Sequence, residues 1–169
     1  MKTLATILFA LLIMSTAVQP VDAQTKAQKK AAKEAELKEL INSKKFTFQA
    51  YNVYPAYGGS RYLSTDYDVR IAGDSVISYL PYFGEVYSGG GYNSSTDSGI
   101  KFTSTDFEYN STKNKNGSWN IIIKPKDGRN ATQLLFTIQA NGRTDLAVVS
   151  QNRQRIRFDG YIKDAPVKK

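Results

Sequence analysis

The sequence predicts an all-β fold, an antiparallel meander of about eight strands preceded by one helix. From Phe46 onward, apolar and polar residues alternate in short runs, which is the period of a strand with one buried face. Turn residues such as Gly, Asn and Pro separate these runs. No helical crossover lies between them, so parallel pairing is not expected. Eight such strands can close into a small barrel, and a sandwich of two sheets is the alternative.

Residues 1–23 have the pattern of a cleaved signal peptide. A basic start is followed by the uncharged run from Leu4 to Met14, which is shorter than the roughly 20 residues that a hydrocarbon core requires. Val21 and Ala23 suit signal peptidase, so we expect cleavage between Ala23 and Gln24. The sequence therefore predicts a periplasmic or secreted protein with no transmembrane segment in the mature chain. Because the chain has no Cys, it is not expected to be a lipoprotein.

Residues 24–45 are predicted to form one Lys-rich helix. Ala, Lys, Glu and Leu dominate this segment, and all are strong helix formers. Lys30 precedes Glu34, and Glu34 precedes Lys38, at the spacing of ion pairs along a helix face. The apolar residues that could dock lie near the C-terminal end, namely Leu37, Leu40 and Ile41. We therefore expect the first half of the helix to be solvated.

The alternation predicts three strands between residues 46 and 83. Apolar residues alternate over 46–50 and 67–71, and Ala72–Ser75 is typical of a tight hairpin turn before a return strand over 76–83. Residues 88–99, rich in Gly and Ser, predict a loop.

The next run contains a change of phase. Ile100 and Phe102 continue the alternation, but Phe107 and Tyr109 occupy the opposite phase. We therefore expect a bulge or break near Ser104.

The C-terminal half alternates more regularly. Turns are predicted at 116–117, 125–128, 141–142 and 150–154. The apolar positions between them include Trp119, Ile121, Ile123, Leu134, Phe136, Ile138, Leu146, Val148, Ile156, Phe158 and Ile162. Such large side chains suit a filled interior, although a slip of one residue would reverse which face points inward. The sequence thus predicts a single β domain over 46–165 and a short basic tail at 166–169.

The composition excludes several kinds of chemistry. The chain has 169 residues, 23 Lys and Arg, 15 Asp and Glu, and neither His nor Cys. Disulfides, zinc sites built on Cys or His, and catalytic triads that contain these residues are therefore excluded. We expect no cofactor, no metal and no enzymatic activity. The basic charge comes without a nucleic-acid motif, so we expect weak attraction to anionic surfaces and no nucleic-acid partner.

Several short motifs together resemble one protein family. They are LPYFG at 80–84, Asn-Gly at 141–142, Asn-Arg-Gln at 152–154 and Phe-x-Gly at 158–160. With the signal peptide and the Lys-rich helix, they resemble exported proteins of Bacteroidetes that are catalogued as domain of unknown function 4251, over about residues 35–165. The family has no established activity, so the resemblance implies no catalytic residues. It implies a periplasmic or secreted all-β domain with a lipocalin-like shape.

The aromatic residues suggest a candidate ligand site. Nine of the eleven Tyr lie between Tyr51 and Tyr92, and a Tyr ring offers an apolar face beside a hydroxyl group. Pro marks an edge or bend in a strand and Gly permits a kink, so the LPYFG segment could form a binding lip. The candidate ligand-binding residues are Tyr79, Tyr82, Phe83, Gly84 and Arg153. The alternatives are a packed corner that closes the barrel, and Tyr as an ordinary strand residue.

Three sets of charged residues are further candidates: Asp66 with Asp68, Asp106 with Glu108, and Arg153 with Arg155 and Arg157. Each carboxylate pair would share a strand face about 7 Å apart, near the separation that glycosidases use. A solvated strand face gives the same spacing. The guanidinium groups could bind phosphate, sulfate or a carboxylate, or pair with nearby acids.

These features favour an exported, non-enzymatic binding domain. Its ligand, a small amphiphile, glycan or peptide, would lie in the mouth of the barrel. One alternative is a structural or interaction protein of the envelope that contacts a partner through the Lys-rich helix. A remote alternative is a hydrolase with two carboxylates as acid and base. An interior filled with side chains would contradict the ligand-in-barrel hypothesis.

Overall fold

The computed structural model describes residues 25–85, 99–127 and 131–164. In these residues one helix precedes nine antiparallel strands, which form a single sheet curled into a nearly closed barrel. The elements are helix α1 (Lys26–Ser43) and strands β1 (Lys45–Tyr54), β2 (Arg61–Ala72), β3 (Val76–Leu80), β4 (Ile100–Ser104), β5 (Phe107–Lys113), β6 (Trp119–Pro125), β7 (Gln133–Ile138), β8 (Arg143–Val149) and β9 (Ile156–Asp164). The predicted fold class is confirmed. The predicted signal peptide with its cleavage site, most of the predicted 88–99 loop and the basic tail lie outside the described residues.

The two strands at the ends of the sheet are two halves of one kinked strand. The sheet order is β4-β3-β2-β1-β9-β8-β7-β6-β5. Because every neighbouring pair is antiparallel, β4 and β5 run in the same direction, and only residues 105–106 separate them. The first half pairs with β3 and the second half with β6. The break expected near Ser104 is therefore present, and it raises the strand number from eight to nine.

Hydrogen bonds from two directions hold this kink. The Ser104 hydroxyl donates to the carboxylate of Asp127, and the Thr105 N–H donates to the same carboxylate at 3.1 Å. The Lys126 N–H donates to the carbonyl of Asp106 at 2.8 Å. The β6–β7 connection is thus tied to the kink.

Large side chains fill the interior of the barrel. The Phe136 ring meets the rings of Phe46 and Phe48 edge to face, with centroids 6.3 and 5.8 Å away. The Phe48 ring also covers Gly160, where an added Cβ would lie 2.4 Å from the ring and 2.2 Å from the carbonyl oxygen of Gln49. Only glycine fits this position, which gives the Phe-x-Gly motif a packing role. The other fully buried large side chains include Phe158, Ile71, Leu80, Ile100, Ile121, Ile123, Leu134 and Ile138.

Helix α1 covers one end of the barrel, which we call the helix end. A capping box between Thr25 and Gln28 begins it, and Lys44 ends it in the left-handed region at φ 55°. Only Leu37 and Ile41 of the helix are fully buried, so its first half is solvated as expected. The Tyr109 hydroxyl donates to the carbonyl of Ile41 at 3.1 Å, and burial raises the pKa of this tyrosine. No helix within the described residues is long and apolar enough to cross a membrane.

Candidate functional site

Strand β1 is buried on both of its faces along its first half. Thr47 and Gln49 point away from the barrel interior, yet they are only 1% and 7% exposed. Their cross-strand neighbours cover them, because Arg70 and Lys163 flank Thr47 and Asp68 lies beside Gln49. A polar groove of about 360 Å³ follows this face. We call it the outer groove; it is lined by Thr47, Gln49, Asp66, Asp68, Arg70, Lys163 and Asp164.

Hydrogen bonds hold the side chains of the outer groove in place. The Lys163 ammonium donates to Gln49 Oε1 at 2.7 Å. Gln49 Nε2 donates to the carbonyl of Tyr67 at 3.2 Å and lies 3.5 Å from Asp66 Oδ1. Arg70 Nε donates to Asp68 Oδ2 at 2.9 Å. The amide of Gln49 is therefore fixed between a cation and a carboxylate.

Two buried polar atoms in this groove have no hydrogen-bond partner. Across the described part of the chain, these are Thr47 Oγ1 and Asp68 Oδ1. Leaving such an atom unpaired costs roughly 1–3 kcal/mol, and native structures seldom keep many. Both atoms lie on adjacent strands in a single groove. This arrangement is suited to a ligand that supplies hydroxyl or amide groups.

Two tyrosine rings flank the outer groove. Tyr161 on β9 is the neighbour of Gln49 and is 45% exposed, while Tyr79 on β3 is the neighbour of Asp68 and is 41% exposed. The Tyr79 ring stacks on Tyr67 at 5.6 Å, and the ammonium of Lys101 lies 5.3 Å from its centroid. Tyr79, one of the candidate ligand-binding residues, thus lies at the border of this groove.

The other four candidate residues meet in a corner at the far end of the barrel. Tyr82 is buried, and its hydroxyl donates to the carbonyl of Glu85 at 2.9 Å. The Arg153 guanidinium lies 5.0 Å from the Tyr82 ring and donates to the carbonyl of Gly99 at 3.2 Å. A Cβ at Gly84 would come within 2.8 Å of the Tyr82 hydroxyl.

Phe83 belongs to the same corner, with the guanidinium of Arg61 4.9 Å from its ring. These contacts support the alternative of a packed corner, and a ligand-binding role for Tyr82, Phe83, Gly84 and Arg153 stays a prediction.

The remaining charged candidates engage one another on the surface. Asp106 and Glu108 share one cation, with Lys126 Nζ at 3.9 and 3.7 Å, and all three are exposed. Arg157 Nε lies 3.1 Å from Asp145, and burial raises the pKa of that aspartate against the pull of the guanidinium. No group of three potential metal-ligating residues occurs in the described residues.

Arg153 contacts a different ring from Arg157, while Arg155 and Arg157 both oppose the rise in the pKa of Asp145. Arg157 lies over the ring of Tyr54 at 4.6 Å, while Arg153 covers Tyr82. The Tyr54 hydroxyl donates to Asp159 at 2.8 Å, and this hydrogen bond raises the pKa of Tyr54.

Sequence reasoning missed Thr47, Gln49 and Lys163. In the sequence they are ordinary polar positions of alternating strands. Their burial comes from the pairing of β1 with β2 on one side and β9 on the other. The alternation carries no signal of which residues become cross-strand neighbours.

Comparisons with known proteins identify a relationship. The family model described as "Domain of unknown function (DUF4251)" matches residues 28–162. The crystal structure of a DUF4251 family protein from Bacteroides eggerthii DSM 20697 is similar, with a TM-score of 0.60 and 16% identity over 80% of this chain and 91% of that chain. At this identity the likeness shows the fold alone. A search of curated proteins found no match.

Proposed function

The chain belongs to the DUF4251 family of domains of unknown function, so we propose a function from its own geometry: an exported, non-enzymatic domain that binds a neutral saccharide in the outer groove. The observation that carries this proposal is the pair of buried, unpartnered atoms, Thr47 Oγ1 and Asp68 Oδ1. A sugar hydroxyl both donates and accepts hydrogen bonds, so adjacent hydroxyls can donate to the carboxylate and pair with the threonine. Such bonds would satisfy both atoms once the exposed side chains of Arg70 and Lys163, which cover Thr47, turn aside.

The charges and rings of the groove also favour a sugar. Its lining contains both cations and carboxylates, with Asp66, Asp68 and Asp164 outnumbering Arg70 and Lys163. A polyanion would meet like charges there, whereas a neutral polyhydroxylated ligand finds donors and acceptors together. The flanking ring of Tyr161, 45% exposed, offers an apolar face against which the C–H surface of a sugar packs, while the edge and hydroxyl of Tyr79 border the groove.

A peptide fits this surface less well. Extended peptides often bind by adding a strand to a free sheet edge. Strand β1 lies in the middle of the sheet, with β2 and β9 paired on its two sides. Its backbone is therefore already hydrogen-bonded to strands on both sides, and it offers no free edge to a peptide.

Export and the lack of catalysis complete the proposal. Export is supported by the basic and apolar pattern of residues 1–23, and the lack of catalysis by the absence of His and Cys. The filled interior directs the ligand to the outer face, away from the barrel mouth.

The test measures binding to immobilised neutral oligosaccharides. Calorimetry then gives the affinity for each oligosaccharide that binds. The mature protein is compared with Thr47→Val and Asp68→Asn, two substitutions that keep the side-chain size. We expect each to weaken binding by about tenfold or more, the value of one good buried hydrogen bond. Thr47→Val should leave the melting temperature unchanged or higher, because it removes a buried hydroxyl that has no partner.

Thr144→Val is the matched control. Thr144 is also a buried strand threonine, but its hydroxyl donates to the carbonyl of Gly142 at 3.1 Å. This variant should lose about 1 kcal/mol of stability and keep its saccharide binding. No binding to any neutral glycan, or full binding by Thr47→Val, would overturn the proposal.

A further inference from the structure

A second groove lies at the helix end, between the first half of α1 and the turns below it. Its volume is about 690 Å³, within the range of pockets that hold small ligands. We call it the basic groove; it is lined by Lys29, Lys30, Lys33, Asn116, Ser118, Thr137, Gln139, Ala140 and Asn141.

The charged residues that line the basic groove are all positive. Three lysines face amide and hydroxyl groups, and none of its described residues is acidic. The outer groove, in contrast, carries three aspartates. A ligand with negative charge and several acceptor oxygens matches the basic groove, whereas a neutral sugar leaves the three ammonium groups without a counter-charge.

The way the helix docks creates this groove. Only the last turns of α1 are buried, through Leu37 and Ile41, so the first half extends over the β5–β6 and β7–β8 turns. The side chain of Lys33 passes over the β7–β8 turn, where a Cβ on Gly142 would lie 3.8 Å from the Lys33 Cε atom. The ammonium groups are thereby placed above the polar turn residues.

The lysines are poorly compensated within the protein itself. Lys30 and Lys33 lie 3.9 and 3.3 Å from Glu34 and Glu36, but these pairs are exposed and such pairs contribute little. The first turn of the helix contains no acidic residue, although the positive end of the helix dipole disfavours cations there. Lys29, in this first turn, therefore has a local cost that an anion in the groove would offset.

We propose that the basic groove binds a phosphate group, carried either by a soluble sugar phosphate or by a lipid headgroup. Phosphate offers two charges and several acceptor oxygens, and lysine binds it as a point charge without a fixed geometry. The groove is larger than a phosphate ion, so the amides of Asn116, Gln139 and Asn141 contact the body of the ligand that carries the phosphate.

The experiment measures binding of glucose 6-phosphate and inorganic pyrophosphate to the mature protein by calorimetry at low salt, with glucose as the uncharged reference. One variant carries Lys29→Gln, Lys30→Gln and Lys33→Gln. A matched variant carries Lys38→Gln, Lys45→Gln and Lys124→Gln, which remove the same charge from exposed positions outside the groove. Gln is nearly as good a helix former as Lys, so both variants should fold.

We expect the protein to bind both phosphates and the groove variant to bind them about tenfold or more weakly. The matched variant should stay within about twofold of the unmodified protein, as expected for distant charges that are screened. An equal loss in both variants would show a non-specific charge effect and overturn the proposal, as would an absence of phosphate binding.

Vesicles distinguish the two sources of phosphate. Sedimentation with phosphatidylcholine vesicles that contain phosphatidylglycerol, lost in the groove variant alone, supports a lipid headgroup. Binding of glucose 6-phosphate without such sedimentation supports a soluble ligand. Neutral glycan binding in the outer groove does not involve these lysines, so either proposal can fail without the other.

Discussion

Thr47 and Thr144 show how the surroundings of a buried side chain determine whether its hydroxyl group is hydrogen-bonded. Both are buried threonines in strands, yet only the Thr144 hydroxyl has a partner. Thr47 stands between Phe46 and Phe48, whereas Thr144 shares its phase with Leu146 and Val148, and neither pattern shows whether the hydroxyl finds a partner. The Thr144 hydroxyl finds its partner locally, in the carbonyl of Gly142. Thr47 is instead covered by Arg70 and Lys163 on the neighbouring strands, an arrangement that the register determines.

The protonation state of Asp127 should affect the stability of the fold. The hydrogen bond from the Ser104 hydroxyl, and then that from the Thr105 N–H, lower the pKa of this carboxyl. A lowered pKa in the folded state contributes stability that is present above the unfolded value of about 3.9 and is lost as the pH falls through the folded value. We expect Asp127→Asn to lower the melting temperature at neutral pH, with the difference shrinking below about pH 4.

Thermal unfolding between neutral and acidic pH measures this effect. Asp145→Asn is the opposite control, because burial raises the pKa of Asp145. A raised pKa makes the charged form unfavourable in the fold, so this variant should have a higher melting temperature than the unmodified protein at neutral pH. This difference should disappear in acid. A difference for Asp127→Asn that is independent of pH would contradict the expectation.

At the scale of elements, helix α1 is attached through very few side chains. The sequence predicted its extent within about two residues at each end, and also its solvated first half, since its large aliphatic residues all lie in its last turns. Ile41 is fully buried and its carbonyl accepts the bond from Tyr109. Docking therefore depends on one turn of the helix.

We expect Ile41→Ala to lower the free energy of unfolding by about 2–5 kcal/mol, the range for truncating a buried isoleucine. Ala31→Gly, in the exposed half, should cost at most about 1 kcal/mol. Urea unfolding followed by the fluorescence of Trp119 measures both, since this is the single tryptophan of the chain. Equal effects of the two substitutions would mean that the helix does not fold together with the barrel.

The strands were predicted well where alternation and turns agree, and less well elsewhere. The return strand ends at Leu80 instead of residue 83, because Pro81 cannot continue the ladder of hydrogen bonds. Strand β2 begins at Arg61, earlier than the alternation suggested. Its early residues are mostly exposed, so only the buried Leu63 marks them as strand.

On the scale of the whole molecule, the interior of the barrel is a packed core. Large apolar residues at 119, 121, 123, 134, 136 and 138 suggested this, but alternation does not distinguish a barrel from a sandwich. It also does not show which strands meet, so neither the outer groove nor the basic groove was predictable. Both are built from residues that are distant in sequence.

The filled interior predicts that the protein excludes amphiphiles. A ligand that binds the folded state raises its stability with concentration. We expect palmitate, tested below its micelle-forming concentration, to leave the melting temperature unchanged, because Phe46, Phe48 and Phe136 occupy the space that an acyl chain would need. A rise in melting temperature that grows with palmitate concentration would contradict a filled barrel.

The pairing of β1 with β9 determines when the sheet can be completed during synthesis. Seven of the eight strand pairings in the sheet join consecutive strands, whereas Phe46 pairs with Asp164 near the other end of the chain. During synthesis, hairpins can form as soon as their second strand is available. The first strand must wait for β9, so one side of β1 has no partner until the ribosome has made residues 156–164.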